Sequence, residues 1–246
     1  LNLPSMAKGV KPGINRNDVY ALEGRIPSKE VQQRIVSILD DAFENIHSST
    51  KIAELESSNT SEMLTSALDH LFERIIHDAT MKSLDELTDE DSPITYGVVK
   101  PGPEGTILFV RGGDVSNGQV RTSGLRTITD SVSKQYSRTV LRGREILVSL
   151  VGQPGQIGIV PPSLAGANIA RQVGRIRLRE GINEEFVMMY LQSESAQRSL
   201  RSVQGGSVQQ VINLRDLRKI LVPVVNIQEQ LRIANIAQNL ASEIDL

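Results

Sequence analysis

After Pro27 the chain runs to about Leu84 without another proline or a glycine. A stretch that long with no breaker and no turn former reads as helix. Apolar residues stand at Ile35, Ile38, Ala42, Ile46, Ile52, Leu55, Met63, Ala67, Leu71 and Ile75, mostly three or four apart. That spacing marks one helix face, drifting in the manner of a coiled-coil seam. Pro27 stands before the first turn and Ser28 can cap it. About 55 residues at ~1.5 Å each make a rod of roughly 80 Å. A lone helix cannot bury its own stripe, so this one needs a partner. Ser48-Ser49-Thr50 and Ser57-Ser58-Asn59 interrupt the stripe. They set pairing register or mark a bend, and both readings stay open.

The two ends of the chain are related. At a constant offset of 198, Val10 matches Val208, Ile14-Asn15 matches Ile212-Asn213, and Asp18 matches Asp216. The match continues through Gln32 with Gln230, Arg34-Ile35 with Arg232-Ile233, Ile38 with Ile236 and Ile46 with Ile244. Such a period is one domain plus one helix. Residues 1–26 then read as the tail of a globular domain whose body is absent. Residues 27–84 form a long helix, 85–225 a globular domain, and 226–246 the start of a second, truncated equivalent helix. The stripe of that second helix is Ile227, Leu231, Ile233, Ile236, Leu240 and Ile244. Leu rather than Met in first place fits a piece of a longer chain.

From Ile94 onward, short apolar runs alternate with Gly and Pro. Candidate strands are 96–99, 106–111, 140–141, 146–151, 157–160 and 173–178, and 183–203 reads as one helix. Within it Phe186, Met189, Tyr190 and Leu191 face inward, and Ser193, Glu194, Gln197 and Arg198 outward. Gly113, Gly118, Gly152 and Gly155 read as turn residues at positive φ. The fold class is α+β: a strand-rich domain flanked by a long coiled-coil-type helix and a second, truncated one.

Charge divides in the same way. The net charge is −2, yet residues 96–215 hold 15 Lys+Arg against 8 Asp+Glu, and the remainder holds 12 against 21. Arginine gathered in one domain beside an acidic rod suits a polyanion or is simply a solvated surface. The chain has no cysteine, which excludes disulfides, thiolate metal sites and a cysteine nucleophile. No P-loop, methyltransferase or nuclease motif is present. No apolar run is long enough to span a membrane, so a cytoplasmic protein is the default expectation. His70, Glu73 and His77 share a helix, but the histidines are spaced differently from the i, i+4 pair of helical zinc sites.

The order of several segments is familiar. Ile94-Thr-Tyr-Gly-Val-Val-Lys-Pro-Gly102 is followed by Phe109-Val-Arg-Gly-Gly-Asp-Val-Ser-Asn-Gly118. Next come Leu141-Arg-Gly-Arg-Glu-Ile-Leu-Val-Ser149 and Val151-Gly-Gln-Pro-Gly155. With Tyr190-Leu-Gln-Ser193, Gly205-Gly206 and Pro223 leading to Gln228-Glu-Gln230 and Ile233, this order resembles the specificity subunit of type I restriction-modification systems. No single motif is diagnostic; the order and the repeat carry the resemblance. In that family two target-recognition domains alternate with two long spacer helices. One recognition domain here implies a fragment, a trimmed chain, or a half-subunit that restores two-fold symmetry by forming a homodimer.

The resemblance implies a non-catalytic chain that reads one half of a bipartite site in double-stranded DNA. Its helices would set the spacing and dock the methyltransferase (modification) subunit, with a restriction subunit as a further partner. It implies no cofactor in this chain, with S-adenosylmethionine, ATP and Mg on partner subunits. Base reading needs bidentate groups and phosphate contact needs cations and amides. The candidates are Arg111, Asn117, Gln119 and Arg121 around the first hairpin, with Arg126 and Lys134 in the loop after it. Gln153 and Gln156 flank Pro154-Gly155, and Asn168, Arg171 and Gln172 follow the Pro-Pro turn. Gln204, Ser207, Gln209 and Gln210 lie in the Gly205-Gly206 loop. Arg175, Arg177 and Arg179 would give one strand a cationic face, for phosphate contact or as simple exposure, while Tyr96 and Tyr136 could stack on DNA but read better as core or rim residues. The rivals are a coiled-coil scaffold with a protein-binding head, and an enzyme fragment holding a phosphorylated small molecule at 152–158.

Overall fold

The computed structural model describes residues 27–77, 79–206 and 210–244. It divides into two compact units, residues 1–57 and 58–246. The expectations for residues 1–26, Ser207 and Gln209 lie outside the described residues.

Helix α1 is Lys29–Ile76, shorter at its C-terminal end than the sequence suggested. Residues 80–83 are strand β1 (Thr80–Ser83), paired antiparallel with β13 (Leu221–Val224) from Thr80 opposite Val224 to Ser83 opposite Leu221. Nothing local breaks the helix there; a partner from far along the chain captures the segment. In the first unit Val31, Ile35, Val36, Ile38, Leu39, Phe43 and Ile46 are all exposed, so the expected stripe is present and uncovered. The side chains of 52–65 and Ala67 lie outside the described residues. Past them the buried residues are Leu68 and Phe72, with Leu71 and Ile75 partly buried. The buried face is therefore centred one position away from the expected stripe.

Helix α2 (Leu84–Leu87) starts in a capping box, in which Ser83 Oγ accepts from Glu86 N and Glu86 accepts from Ser83 N. The main sheet orders its strands β2 (Thr95–Tyr96), β10 (Val173–Ile176), β7 (Ile146–Ser149), β8 (Ile157–Ile159), β5 (Gly118–Val120) and β4 (Val115–Ser116). A second sheet places β3 (Ile107–Val110) between β6 (Arg126–Ile128) and β9 (Asn168–Ile169). The short pair β11 (Gln204–Gly205) and β12 (Val211–Ile212) completes the strand set with β1–β13. Residues 140–141, expected as strand, are irregular; Leu141 N donates to Ala167 O instead.

Central strand β7 shows why the domain coheres. Ile146 and Val148 enter one core with Phe186, Val187 and Leu191, while Leu147 enters another with Val110, Leu164 and Val173. Alternate residues point to opposite faces, so a strand covered on both sides reads as a continuous apolar run. The first core is roofed by α4 (Glu184–Gln192) and α5 (Glu194–Ser202). These two replace the single helix expected over 183–203. Ser193, fully buried, accepts from Ala196 N and donates to Tyr190 O, so its hydroxyl ends one helix and caps the next. Phe72 of α1 fastens the second unit's part of that helix to this roof. Its ring lies 5.6 Å from Phe186 and 5.3 Å from Tyr190, both tilted or edge-on.

The internal repeat is visible in three dimensions. Helix α7 (Ile227–Ile244) follows β13 after α6 (Leu214–Leu217). At its start, Gln230 Nε2 donates to Val225 O and Asn226 Oδ1 accepts from Glu229 N. At the start of α1, 198 positions earlier, Gln32 Nε2 donates to Pro27 O and Ser28 Oγ accepts from Val31 N. The equivalent faces differ in cover. Gln230, Ile233 and Ala234 are buried, and Gln230 Oε1 accepts from Asn183 N at the cap of α4. Their counterparts Gln32, Ile35 and Val36 are exposed, the last two by 45% and 55%. Among the described residues no helix is long and apolar enough to cross a membrane.

Candidate nucleic-acid interface

Strand register brings three arginines to one end of the domain. β6 runs antiparallel to β3 with Arg126 opposite Phe109, and β9 runs parallel with Ile169 beside Val110. Arg111 leaves the C-terminal end of β3, Arg126 opens β6, and Arg171 lies just past β9, its amide donating to Val98 O. All three share the same end of this sheet, and Arg126 and Arg171 are exposed. The loops of the larger sheet meet them. Leu150 N donates to Gln172 O, Ile212 N to Leu150 O, and Val151 bridges Val211. A Cβ on Gly112 would lie 3.1 Å from Ser149 Oγ and 3.6 Å from Gln172 Cβ, so glycine permits this close approach.

Arg111 and Arg121 are held by one buried carboxylate. Asp114 accepts from Arg111 N at 2.9 Å and Nε at 3.1 Å, and lies 3.8 Å from Arg121 Nη1. Its side chain is 1% exposed, while those of Arg111 and Arg121 are 40% and 58% exposed. The acid fixes the Arg111 guanidinium by hydrogen bonds and lies within ion-pair reach of that of Arg121, which stays largely in solvent. Sequence reasoning did not single out Asp114 and missed this role; the signal was an acid three residues after an arginine. Gly113, expected at positive φ, instead lies in a 3-10 turn at Gly112–Asp114. Gly118, Gly152 and Gly155 do have positive φ. Asn117 and Gly118, with φ of 49° and 79°, make the β4–β5 turn in the manner of a primed hairpin.

The amide candidates divide. Gln153 and Gln172 are exposed, Gln156 is half-buried, and Gln204 Nε2 reaches Pro154 O at 3.4 Å. With exposed Gln210 these belong to the loops joined above. Asn117 and Gln119 are also exposed on β4–β5, where Gln119 lies opposite Ile159 of β8. Beside this group a cavity of about 330 Å³ is lined by Tyr96, Val99, Val151, Arg171, Val211 and Asn213, among others. Tyr96 is 48% exposed there, a rim residue, while Tyr136 packs against the core of the smaller sheet.

Three expectations fail. Asn168 is fully buried, its amide donating to Tyr136 O and Thr139 Oγ1, so it holds the smaller sheet and cannot reach a groove. Lys134 is not in a loop but on α3 (Asp130–Gln135), ion-paired with Asp130. That helix follows the end of β6 opposite to Arg126. The cationic face of 175, 177 and 179 does not form. Arg175 is buried, Arg177 pairs with Glu145 and Asp89, and the strand ends at Ile176. Sheet layers cover that face, which alternation alone could not reveal. His70 lies 4.0 Å from Glu73, and among the described residues no group of three or more His, Cys, Asp or Glu could hold a metal.

Comparison with known proteins agrees with this architecture. Solved structures match nearly the whole chain in fold. The HsdS subunit from Thermoanaerobacter tengcongensis aligns with a TM-score of 0.53 at 21% identity, over 98% of this chain and 59% of that one. A chain from work on complex assembly and conformational transition of the type I R-M system aligns at 0.52 and 17% identity, over 96% and 58%. The Type I restriction enzyme EcoBI specificity subunit of Escherichia coli is 33% identical over 165 residues, 66% of this chain. The match spans 35% of that relative's length. Residues 98–246 match the family described as Type I restriction modification DNA specificity domain. The chain belongs to that family of type I restriction-modification DNA specificity domains.

Proposed function

We propose that this chain is a non-catalytic DNA reader whose recognition domain reads one half of a split target in duplex DNA. The observation that carries the reading is the convergence of Arg111, Arg126 and Arg171 at the shared end of β3, β6 and β9. Gln153, Gln172 and Gln210, with Gln204 of β11, belong to neighbouring segments tied together by backbone hydrogen bonds. Arginine offers a planar fork to guanine and phosphate, and glutamine pairs bidentately with adenine. The Asp114 clamp removes part of the entropy that a free arginine would lose on contact.

The helices are proposed to set the distance to the second half-site and to dock a methyltransferase subunit, to which a restriction subunit adds. S-adenosylmethionine, ATP and Mg belong to those partners in this reading. A second recognition domain, in the same chain or in a second copy, is proposed to cover Gln32, Ile35 and Val36, as this domain covers Gln230, Ile233 and Ala234.

Fluorescence anisotropy with a labelled duplex across a salt series tests the proposal. Binding should weaken with salt, and each arginine that touches phosphate contributes about 0.9 to the slope of log K against log salt. Arg111→Ala, Arg126→Ala and Arg171→Ala should each reduce the slope or the preference among sequences. Salt-independent behaviour with no loss in these variants would favour a protein-binding scaffold instead.

A further inference from the structure

Most arginines of the described domain sit beside a carboxylate, including Arg111, Arg121, Arg144, Arg177, Arg198, Arg201, Arg215 and Arg218. Arg138, Arg142 and Arg175 do not, and these three line one cavity of about 140 Å³ with Ser92, Thr95 and Asp91. The space is several times the roughly 30 Å³ share of one water. Arg175 is 4% exposed. Its Nη2 donates to Ser92 Oγ at 2.8 Å, and its Nε has no hydrogen-bond partner. A buried guanidinium with an idle donor and no counter-ion costs free energy unless something anionic completes it.

The neighbouring acids do not fill that role. Glu145 accepts from Arg142 N, Gly143 N and Arg177 Nη1, so its oxygens are already engaged. Asp89 lies with Arg177, and Asp91 is exposed at the rim. Burial pulls Arg175 below its ordinary pKa; the charges of Glu145 and Asp89 offset this only in part, and Arg177 and Arg142 work against them. Thr95 and Tyr96 are adjacent on β2 and so point to opposite faces of the sheet edge. Thr95 lines this cavity and Tyr96 the one beside Arg171, so the two are separate.

We infer that the Arg138–Arg142–Arg175 cavity is a second anion site that takes a phosphate group. Buried Arg175 anchors it, and the exposed Arg138 and Arg142 close over the anion. The phosphate comes either from the backbone of a bound duplex or from a free phosphate, and both offer the same oxygens. The site does not depend on the reading end described above.

Isothermal titration of the full chain with inorganic phosphate tests the inference. Saturable binding at one site is expected. Arg138→Ala and Arg142→Ala should each weaken it roughly 10- to 150-fold, the range for losing a charge-assisted hydrogen bond. Both residues are exposed, so neither change threatens the core as Arg175→Ala would. Arg179→Ala removes the same charge outside the cavity and should leave the Kd unchanged. Absence of saturable heat, or equal weakening by Arg179→Ala, overturns the site. Repeating the titration with saturating duplex separates the sources: competition identifies a DNA phosphate, and undiminished binding a free one. Failure to bind duplex would refute the DNA reading and leave the phosphate result standing.

Discussion

Replacing Asp114 with asparagine separates two explanations of the arginine-rich end. The side chain is nearly isosteric but loses its charge and one acceptor oxygen. With the amide oxygen at Oδ2, the bonds from Arg111 N and Nε persist with a neutral acceptor. The approach of Arg111 Nη2 at 3.4 Å and of Arg121 Nη1 at 3.8 Å then meets an amide nitrogen. Charge-assisted bonds contribute about 1.5–3 kcal/mol and neutral ones about 0.5–1.5 kcal/mol. Solvent around the half-exposed arginines discounts the difference, leaving a stability loss of about 1–3 kcal/mol. Urea denaturation followed by circular dichroism reads this directly.

The consequence for DNA is more decisive. Removing a negative charge raises the positive charge of this end by one, so a purely electrostatic surface should bind all duplexes more tightly. If Asp114 instead holds Arg111 in register with a base, preference for the target should fall by roughly 5- to 150-fold, the worth of one bidentate contact of ~1–3 kcal/mol. Competition anisotropy between target and scrambled duplex measures the ratio. Unchanged or improved preference in Asp114→Asn would refute the positioning role.

Two further outcomes follow from the packing. Phe72→Ala should cost about 3–5 kcal/mol, because a fully buried ring against Phe186 and Tyr190 is lost; thermal denaturation checks it. Ile35→Glu with Val36→Glu should leave the fold intact, since both are exposed, yet abolish self-association or docking of a second recognition domain. Light scattering of the wild type and this variant gives the mass of each; equal masses above that of one chain would show that the patch is not the contact.

Much of the long helix was legible because its signals are local. The absence of Gly and Pro, the Ser28 cap and the repeated Gln32 and Gln230 all act within one or two turns. Its end was not legible, since residues 77–83 contain no breaker and only pairing with β13 makes Thr80–Ser83 a strand. Ser193 did carry a capping signal, but the apolar rhythm on both sides of it reads as one helix. At the site, arginines beside glycine turns were the right residue type. Which of them share an end depends on the register of β3, β6 and β9, which pair across gaps in the sequence. The same limit explains Asn168 and Arg175. Polar side chains next to turns or in alternation look exposed until the layers that bury them are known.

The most direct measurement is selection from a randomised duplex library by the chain together with the methyltransferase subunit proposed as its partner, followed by sequencing of the bound fraction. A fixed short sequence recurring in the bound pool is expected, with Arg111→Ala or Arg171→Ala relaxing particular positions within it. A bound pool indistinguishable from the input, or one unchanged by those substitutions, would contradict base reading by this domain.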